Sequence, residues 1–302
     1  MEEIGQTCAD LGIDRHSYVV IIGGGAVLDA VGFAASLIHR GIRQVRLPTT
    51  TLAQADAGLG VKNAINAFGA KNFLGTFTPP WAIINDADFL PSLDDRSWRC
   101  GIAEAVKVAT ITDADFLHRL HALAPALAQR DLAAMTEVID RSAALHLGHI
   151  AGNGDPFEHG SSRPLDFGHW AAHRLEVQSH HRLLHGEAVA LGVALDCCYA
   201  VGIGRLTAAE ADVVLRVLTA VGFRLDDDEL ERRDTHGARS VLMGLEQFRE
   251  HLGGSLTLAM PKGLGQQKDL TRFDTDLFEA ALVRLRRWNV AHAASLSLTP
   301  VV

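Results

Sequence analysis

Residues 17–50 read SYVVIIGGGAVLDAVGFAASLIHRGIRQVRLPTT, and the order of textures in that stretch decides the fold class. SYVVIIGGG is a short apolar, β-branched run closed by three glycines, the pattern of a strand buried in a parallel sheet. AVLDAVGFAASLIHRG carries helical periodicity, and QVRLPTT returns to strand. Strand, helix, strand in that order predicts a parallel α/β layer, to which WAIIND at 81–86 adds a later strand. From Pro91 onward the pattern is helical, with Ala- and Leu-rich stretches such as residues 113–150. The expected architecture is an N-terminal Rossmann-like parallel-sheet domain over residues 1–90, truncated at its start, and an all-α domain over residues 91–302.

Composition narrows the function classes. A chain of 302 residues with 48% hydrophobic content can bury one large core or two smaller ones. Its net charge of −8, with scattered basic residues, disfavours nucleic acid and anionic membrane surfaces. No apolar run reaches spanning length, and MEEIGQTCAD has no basic region before an apolar stretch, so a cytoplasmic protein is expected. Cys8, Cys100, Cys197 and Cys198 form no CxxC pair and read as reduced core thiols.

Several segments carry chemistry. In LDFGHWAAH, His169 and His173 are four apart and share a helical face, and His185 opens the next helix in LLHGEAVALG. Imidazoles suit zinc, whose catalytic sites take three protein ligands. In CGIAEAVK, Glu104 and Lys107 lie three apart among small apolar residues. They read either as a buried ion pair or as a metal ligand beside an anion-binding ammonium. Gly23, Gly24 and Gly25 can hold a phosphate at a helix start or can make a tight turn. Residues 48–80 read as a polar loop in which Lys62, Asn63, Asn66, Lys71 and Asn72 interleave with glycines, suited to a phosphorylated, hydroxyl-rich ligand.

Taken in order, GGGAVLDAVGFAAS, HRGIRQVRLPTT, ADAGLGVKNAIN, AKNFLGTF, GIAEAVK, LDFGHWAAHRLE and LHGEAVALG resemble the dehydroquinate synthase superfamily, the NAD-dependent sugar phosphate cyclases. The resemblance implies NAD and Zn2+ or Co2+ as cofactors, with Glu104, His169 and His185 as metal ligands. It places Lys62, Asn72, Lys107, Asp166, His173 and His251 around the substrate and Asp56 near the nicotinamide and reactive carbons. This turns His173 from metal to substrate. Gly23, Gly24, Gly25, Asp29, Thr49, Thr50 and Lys71 are implied to hold NAD. Arg40 resembles an arginine that reaches the phosphate of a neighbouring subunit's substrate, which implies a homodimer. The implied reaction is transient oxidation by NAD, elimination of phosphate, return of the hydride and aldol closure.

Departures from the pattern bear on the substrate. Ser162, Asp166 and His251 stand where the resemblance leads one to expect an arginine, an asparagine and a lysine, so the carboxylate clamp is missing. The implied substrate is sedoheptulose 7-phosphate and the product 2-epi-5-epi-valiolone. The alternatives are a 3-dehydroquinate synthase, another sedoheptulose 7-phosphate cyclase, or more remotely a metal-dependent polyol dehydrogenase. Family members also carry further strands before the glycine turn, whereas here residues 1–16 read as one helix. The expectation is either a start that lies upstream, or a shortened paralogue, non-catalytic or a partner subunit, with an open sheet edge and weak NAD binding.

Overall fold

The computed structural model describes residues 1–68, 70–152, 157, 164–251 and 254–296, without the side chains at 70, 71, 164, 251 and 293–296. It divides into two compact units, Met1–Gly101 with Ile139–His159, and Ile102–Val138 with Gly160–Val302.

The first unit opens with α1 (Glu2–Asp10), β1 (Tyr18–Gly23), α2 (Gly25–Leu37) and β2 (Arg43–Pro48). β1 and β2 pair in parallel from Tyr18↔Arg43 to Gly23↔Pro48, as the strand–helix–strand pattern requires. α2 covers one face of the sheet, where Ile21, Leu28 and Ala53 form a core flanked by Val19 and Val31. The opposite face of β1 carries Tyr18, Val20 and Ile22, which are 45%, 57% and 55% exposed. Among the described strands β1 is an edge, in the order β1, β2 and a short strand at Ala82–Ile83.

Residues 48–80 depart from the expected loop. A single π-helical turn (Ala53–Ala57) leads into an antiparallel hairpin of β3 (Lys62–Ala67) and β4 (Ala70–Phe77), in register from Lys62↔Phe77; the short strand at Ala82–Ile83 is then β5. The hairpin is anchored by polar side chains, which is why apolar alternation does not reveal it. Arg46, fully buried on β2, donates through Nη1 to the Gly58 and Gly60 carbonyls, and through Nη2 to Asn63 Oδ1 at 2.6 Å. Asn63 is buried on β3 and donates to the Val61 and Thr78 carbonyls. Gly32 on α2 makes room for this cluster, since a Cβ there would lie 2.0 Å from Asn63 Oδ1.

The second unit contains α4 (Ala114–Ala128), α6 (His169–Gln178), α7 (His185–Gly202), α8 (Ala208–Ala220), α9 (Met243–His251) and α10 (Thr275–Leu296). Two helices, α3 (Asp95–Thr112) and α5 (Leu132–Gly152), are divided between the units at Gly101 and Val138. An antiparallel ribbon of β6 (Leu258–Pro261) and β7 (Gln267–Leu270) accompanies the helices. α7 is apolar all round and is buried from Ala188 through Ala200, packed by α6, α8 and α10. Tyr199 stacks on Phe273 at 4.5 Å, and Trp170 meets Phe273 edge-on at 5.4 Å. Cys100, Cys197 and Cys198 are buried.

Candidate functional site

Three side chains from three helices of the second unit converge. Glu104 on α3, His169 at the start of α6 and His185 at the start of α7 present ligand atoms within 4.8 Å of one another. Glu104 Oε1 lies 3.3 Å from His185 Nε2 and 3.7 Å from His169 Nε2. Both histidines offer the same nitrogen because the other is engaged. His185 Nδ1 is 3.0 Å from Glu176 Oε2, and His169 Nδ1 is 3.2 Å from the Phe167 carbonyl. Those acceptors favour a proton on Nδ1, which in a neutral ring turns the lone pair of Nε2 toward the carboxylate.

The electrostatics are those of a cation site. Glu104 is 1% exposed, and its Oε1 has no hydrogen-bond partner among the described residues. Such a buried, unsatisfied oxygen is costly unless something else completes it. Burial by itself would raise the Glu104 pKa, but the Lys107 ammonium, 2.5 Å from Oε2, and His185 reverse this and hold it at about 2. Burial, then the positive Lys107, pushes His169 well below the ordinary histidine range, so its ring is neutral. One carboxylate and two imidazoles match the donor set that zinc and cobalt accept. His173 stands beside this group, its ring 5.2 Å from that of His169 and 5.9 Å from that of His185. Asp166, half-buried, ends a 3-10 turn (Pro164–Asp166) three residues before His169. Glu187 accepts the Leu184 N–H at 2.9 Å, capping α7 and fixing His185 as its first residue.

In the first unit the turns that follow β1 and β2 meet. Gly23 ends β1, Gly24 caps α2 and Gly25 begins it. The Gly23 carbonyl accepts the Thr49 N–H at 3.0 Å, and a Cβ on Gly24 would lie 3.1 Å from Thr50 Cγ2. These turns sit at the carboxyl ends of parallel strands, where open α/β sheets bind ligands. Asp29 is half-buried on α2 and acts electrostatically on Arg46. Lys62 is exposed at the start of β3, and Asn72 is exposed on β4 with φ 53°. Asp56 Oδ1 lies 2.6 Å from His146 Nδ1 of α5. Arg40 is exposed in the turn after α2. The side chains of Lys71 and His251, and residue Ser162, lie outside the described residues.

Sequence reading missed four residues that support these groups. Glu176 had a usable signal, since it is seven residues after His169 and three after His173 on one helical face. His146, Arg46 and Asp196 had none, because each finds its partner through long-range packing.

Comparison with known proteins follows the same division. Residues 1–100 match the model of the 3-dehydroquinate synthase N-terminal region, and residues 101–240 that of the C-terminal region. A 2-epi-5-epi-valiolone synthase from Streptomyces glaucescens is 36% identical over 280 residues, spanning 91% of this chain and 70% of the relative. The chain belongs to the 3-dehydroquinate synthase family. A 3-dehydroquinate synthase of this family from Nitrosococcus oceani is 34% identical, over 93% of this chain and 77% of the relative. The solved 2-epi-5-epi-valiolone synthase of Streptomyces hygroscopicus subsp. jinggangensis, with NAD+ and Zn2+ bound, superposes with a TM-score of 0.86 at 31% identity. It covers 95% of this chain, which spans 78% of that structure. Within the family's C-terminal region fall all three of Glu104, His169 and His185, and within its N-terminal region fall Gly23, Gly24 and Gly25. A probable glycerol dehydrogenase from Sinorhizobium meliloti 1021, 18% identical with a TM-score of 0.59, shares the fold.

Proposed function

We propose that this chain is a sugar phosphate cyclase that converts sedoheptulose 7-phosphate to 2-epi-5-epi-valiolone and phosphate, using NAD and Zn2+ or Co2+. The observation that carries the reading is the buried group of Glu104, His169 and His185, with an unsatisfied carboxylate oxygen and both histidine Nε2 atoms turned toward it. These three residues would hold the metal. When bound, the metal would supply Lewis acidity toward substrate oxygens, and NAD a transient hydride acceptor.

The chain's own residues supply the rest. Gly23, Gly24 and Gly25 let backbone approach a dinucleotide phosphate at the start of α2, while Asp29, Thr49, Thr50 and Lys71 complete that cofactor site. The Lys107 ammonium is buried and held by Glu104, and it attracts a substrate oxygen that gains negative charge. His173, neighbour to both metal-binding rings, offers a proton-transfer group on the same helix as His169. Lys62 and Asn72 bind phosphate and hydroxyls, and Asp56 lies with the nicotinamide. Ser162 and His251, in place of an arginine and a lysine, leave no clamp for a carboxylate, and Asp166 replaces an amide, so a substrate that lacks a carboxylate is favoured. Arg40 reaches the phosphate of the neighbouring subunit's substrate, so the protein works as a homodimer; a cytoplasmic location is part of the same proposal. Among the described residues no helix is long and apolar enough to cross a membrane.

The test is phosphate release from sedoheptulose 7-phosphate by the purified chain with NAD+ and Zn2+, with Glu104→Ala as control. Release confined to the unaltered chain, without net NADH, supports the reading; no release above the control refutes it. Release only from a carboxylated heptulosonate phosphate would instead make the chain a 3-dehydroquinate synthase. A second reading, a non-catalytic partner subunit, is favoured by the exposed Tyr18, Val20 and Ile22 on β1. Zinc binding without phosphate release would select it.

A further inference from the structure

α6 begins without a side-chain cap, at Gly168, whose φ of 75° lies in the left-handed region. The residues on either side of His169 are instead held from α7. Asp196 Oδ2 accepts the Gly168 N–H at 3.1 Å, and Asp196 Oδ1 accepts the Trp170 indole N–H at 2.9 Å. One carboxylate, 1% exposed in an otherwise apolar helix, therefore grips the turn immediately before and the side chain immediately after a histidine of the triad. Burying a carboxylate in such surroundings is unfavourable, and an aliphatic residue would fill the space at lower cost.

The packing around this grip allows little slack. A Cβ on Gly192 would lie 2.1 Å from the Gly168 carbonyl oxygen, and a Cβ on Gly168 would lie 2.8 Å from the Val193 nitrogen. The start of α6 thus rests on the α7 backbone itself. His185, Gly192 and Asp196 are seven and then four residues apart, so they share one face of α7. A single rigid helix carries one histidine of the triad, the contact point for the other, and the carboxylate that closes the contact. The Phe167 carbonyl that orients His169 Nδ1 belongs to the same gripped turn.

We infer that Asp196 is a positioning residue for the metal site: its carboxylate clamps the Gly168 turn and Trp170 to α7, and so fixes the separation of His169 Nε2 from His185 Nε2. The inference rests on the metal-site reading of Glu104, His169 and His185, but on nothing about substrate. It assigns to the clamp the preorganisation that supporting hydrogen bonds give to metal ligands, whose loss typically costs about 10–100-fold in affinity.

The experiment titrates metal-stripped protein with Zn2+ against a chromophoric chelator and records the visible spectrum of the Co2+ form. Asp196→Ala is expected to weaken zinc by about 10–100-fold and to change the cobalt spectrum. Asp196→Asn, which retains one acceptor oxygen, should recover part of the affinity. Trp170→Phe, which removes one of the two grips, should weaken zinc by a smaller factor. Zinc affinity and cobalt spectrum unchanged in folded Asp196→Ala would overturn the inference. Should that variant fail to fold, unchanged affinity in both Asp196→Asn and Trp170→Phe would overturn it equally. An unaltered chain that binds no zinc would refute the metal-site reading and the inference together, an outcome distinct from the others.

Discussion

Removing one member of the Glu104–Lys107 pair tests whether the carboxylate is held in place for a metal. The two side chains are 1% and 2% exposed and their charged atoms are 2.5 Å apart. Neither can turn to water when the other is removed. Breaking a buried pair from one side costs about 3–5 kcal/mol, because the remaining charge stays desolvated. Glu104→Gln and Lys107→Met should each lose that much in the metal-stripped chain, whereas the double variant buries no uncompensated charge and should recover most of the loss. With a denaturant slope of about 1–3 kcal/mol per molar urea, each single variant should shift the midpoint of the second unit by roughly 1–5 M. Zinc separates the two. A bound cation substitutes for the Lys107 charge beside Glu104, so excess zinc should restore Lys107→Met and leave Glu104→Gln unrestored. Urea denaturation followed by circular dichroism, with and without zinc, provides the measurement. Additive losses in the double variant, or equal rescue of both single variants by zinc, would show that the carboxylate is not held in place for a metal.

Three further outcomes are expected. Glu176→Ala removes the acceptor 3.0 Å from His185 Nδ1 and should weaken zinc about 10–100-fold with little change in helix content, as read by chelator competition and circular dichroism. Arg46→Met leaves the Gly58 and Gly60 carbonyls and Asn63 Oδ1 without their donor; at about 1–3 kcal/mol for each unsatisfied group, the first unit should lose at least 3 kcal/mol, and a thermal midpoint within 2 °C of the unaltered chain would contradict this. Burial raises the Asp196 pKa from its ordinary 3.8 to about 7, so between those values the folded chain keeps a proton that the unfolded chain has released. Stability from this group therefore falls as pH rises from about 4 to about 7, by up to about 1.4 kcal/mol per pH unit, and Asp196→Asn should lack that slope. Parallel stability profiles for the two proteins would show the assignment to be wrong.

Elements whose signals are local are legible in the amino-acid sequence. Residues 17–50 specify strand, helix and strand because apolar runs and glycine turns act over a few residues, and β1, α2 and β2 form there. The spacing of His169 and His173, the position of His185 at a helix start and the pairing of Glu104 with Lys107 were likewise legible, since helical periodicity fixes which side chains share a face. The hairpin at residues 62–77 has the sequence pattern of a loop because Arg46 and Asn63, rather than alternating apolar residues, hold it in place. Tertiary structure sets the distances at which Glu104 meets His169 and His185, and it alone decides that Asp56 pairs with His146 and that Asp196 grips both sides of His169. The Glu104, Asp56 and Asp196 contacts join residues tens of positions apart along the chain. Close packing of helices across small residues such as Gly192 sets their distances, and a one-dimensional pattern carries no measure of that approach.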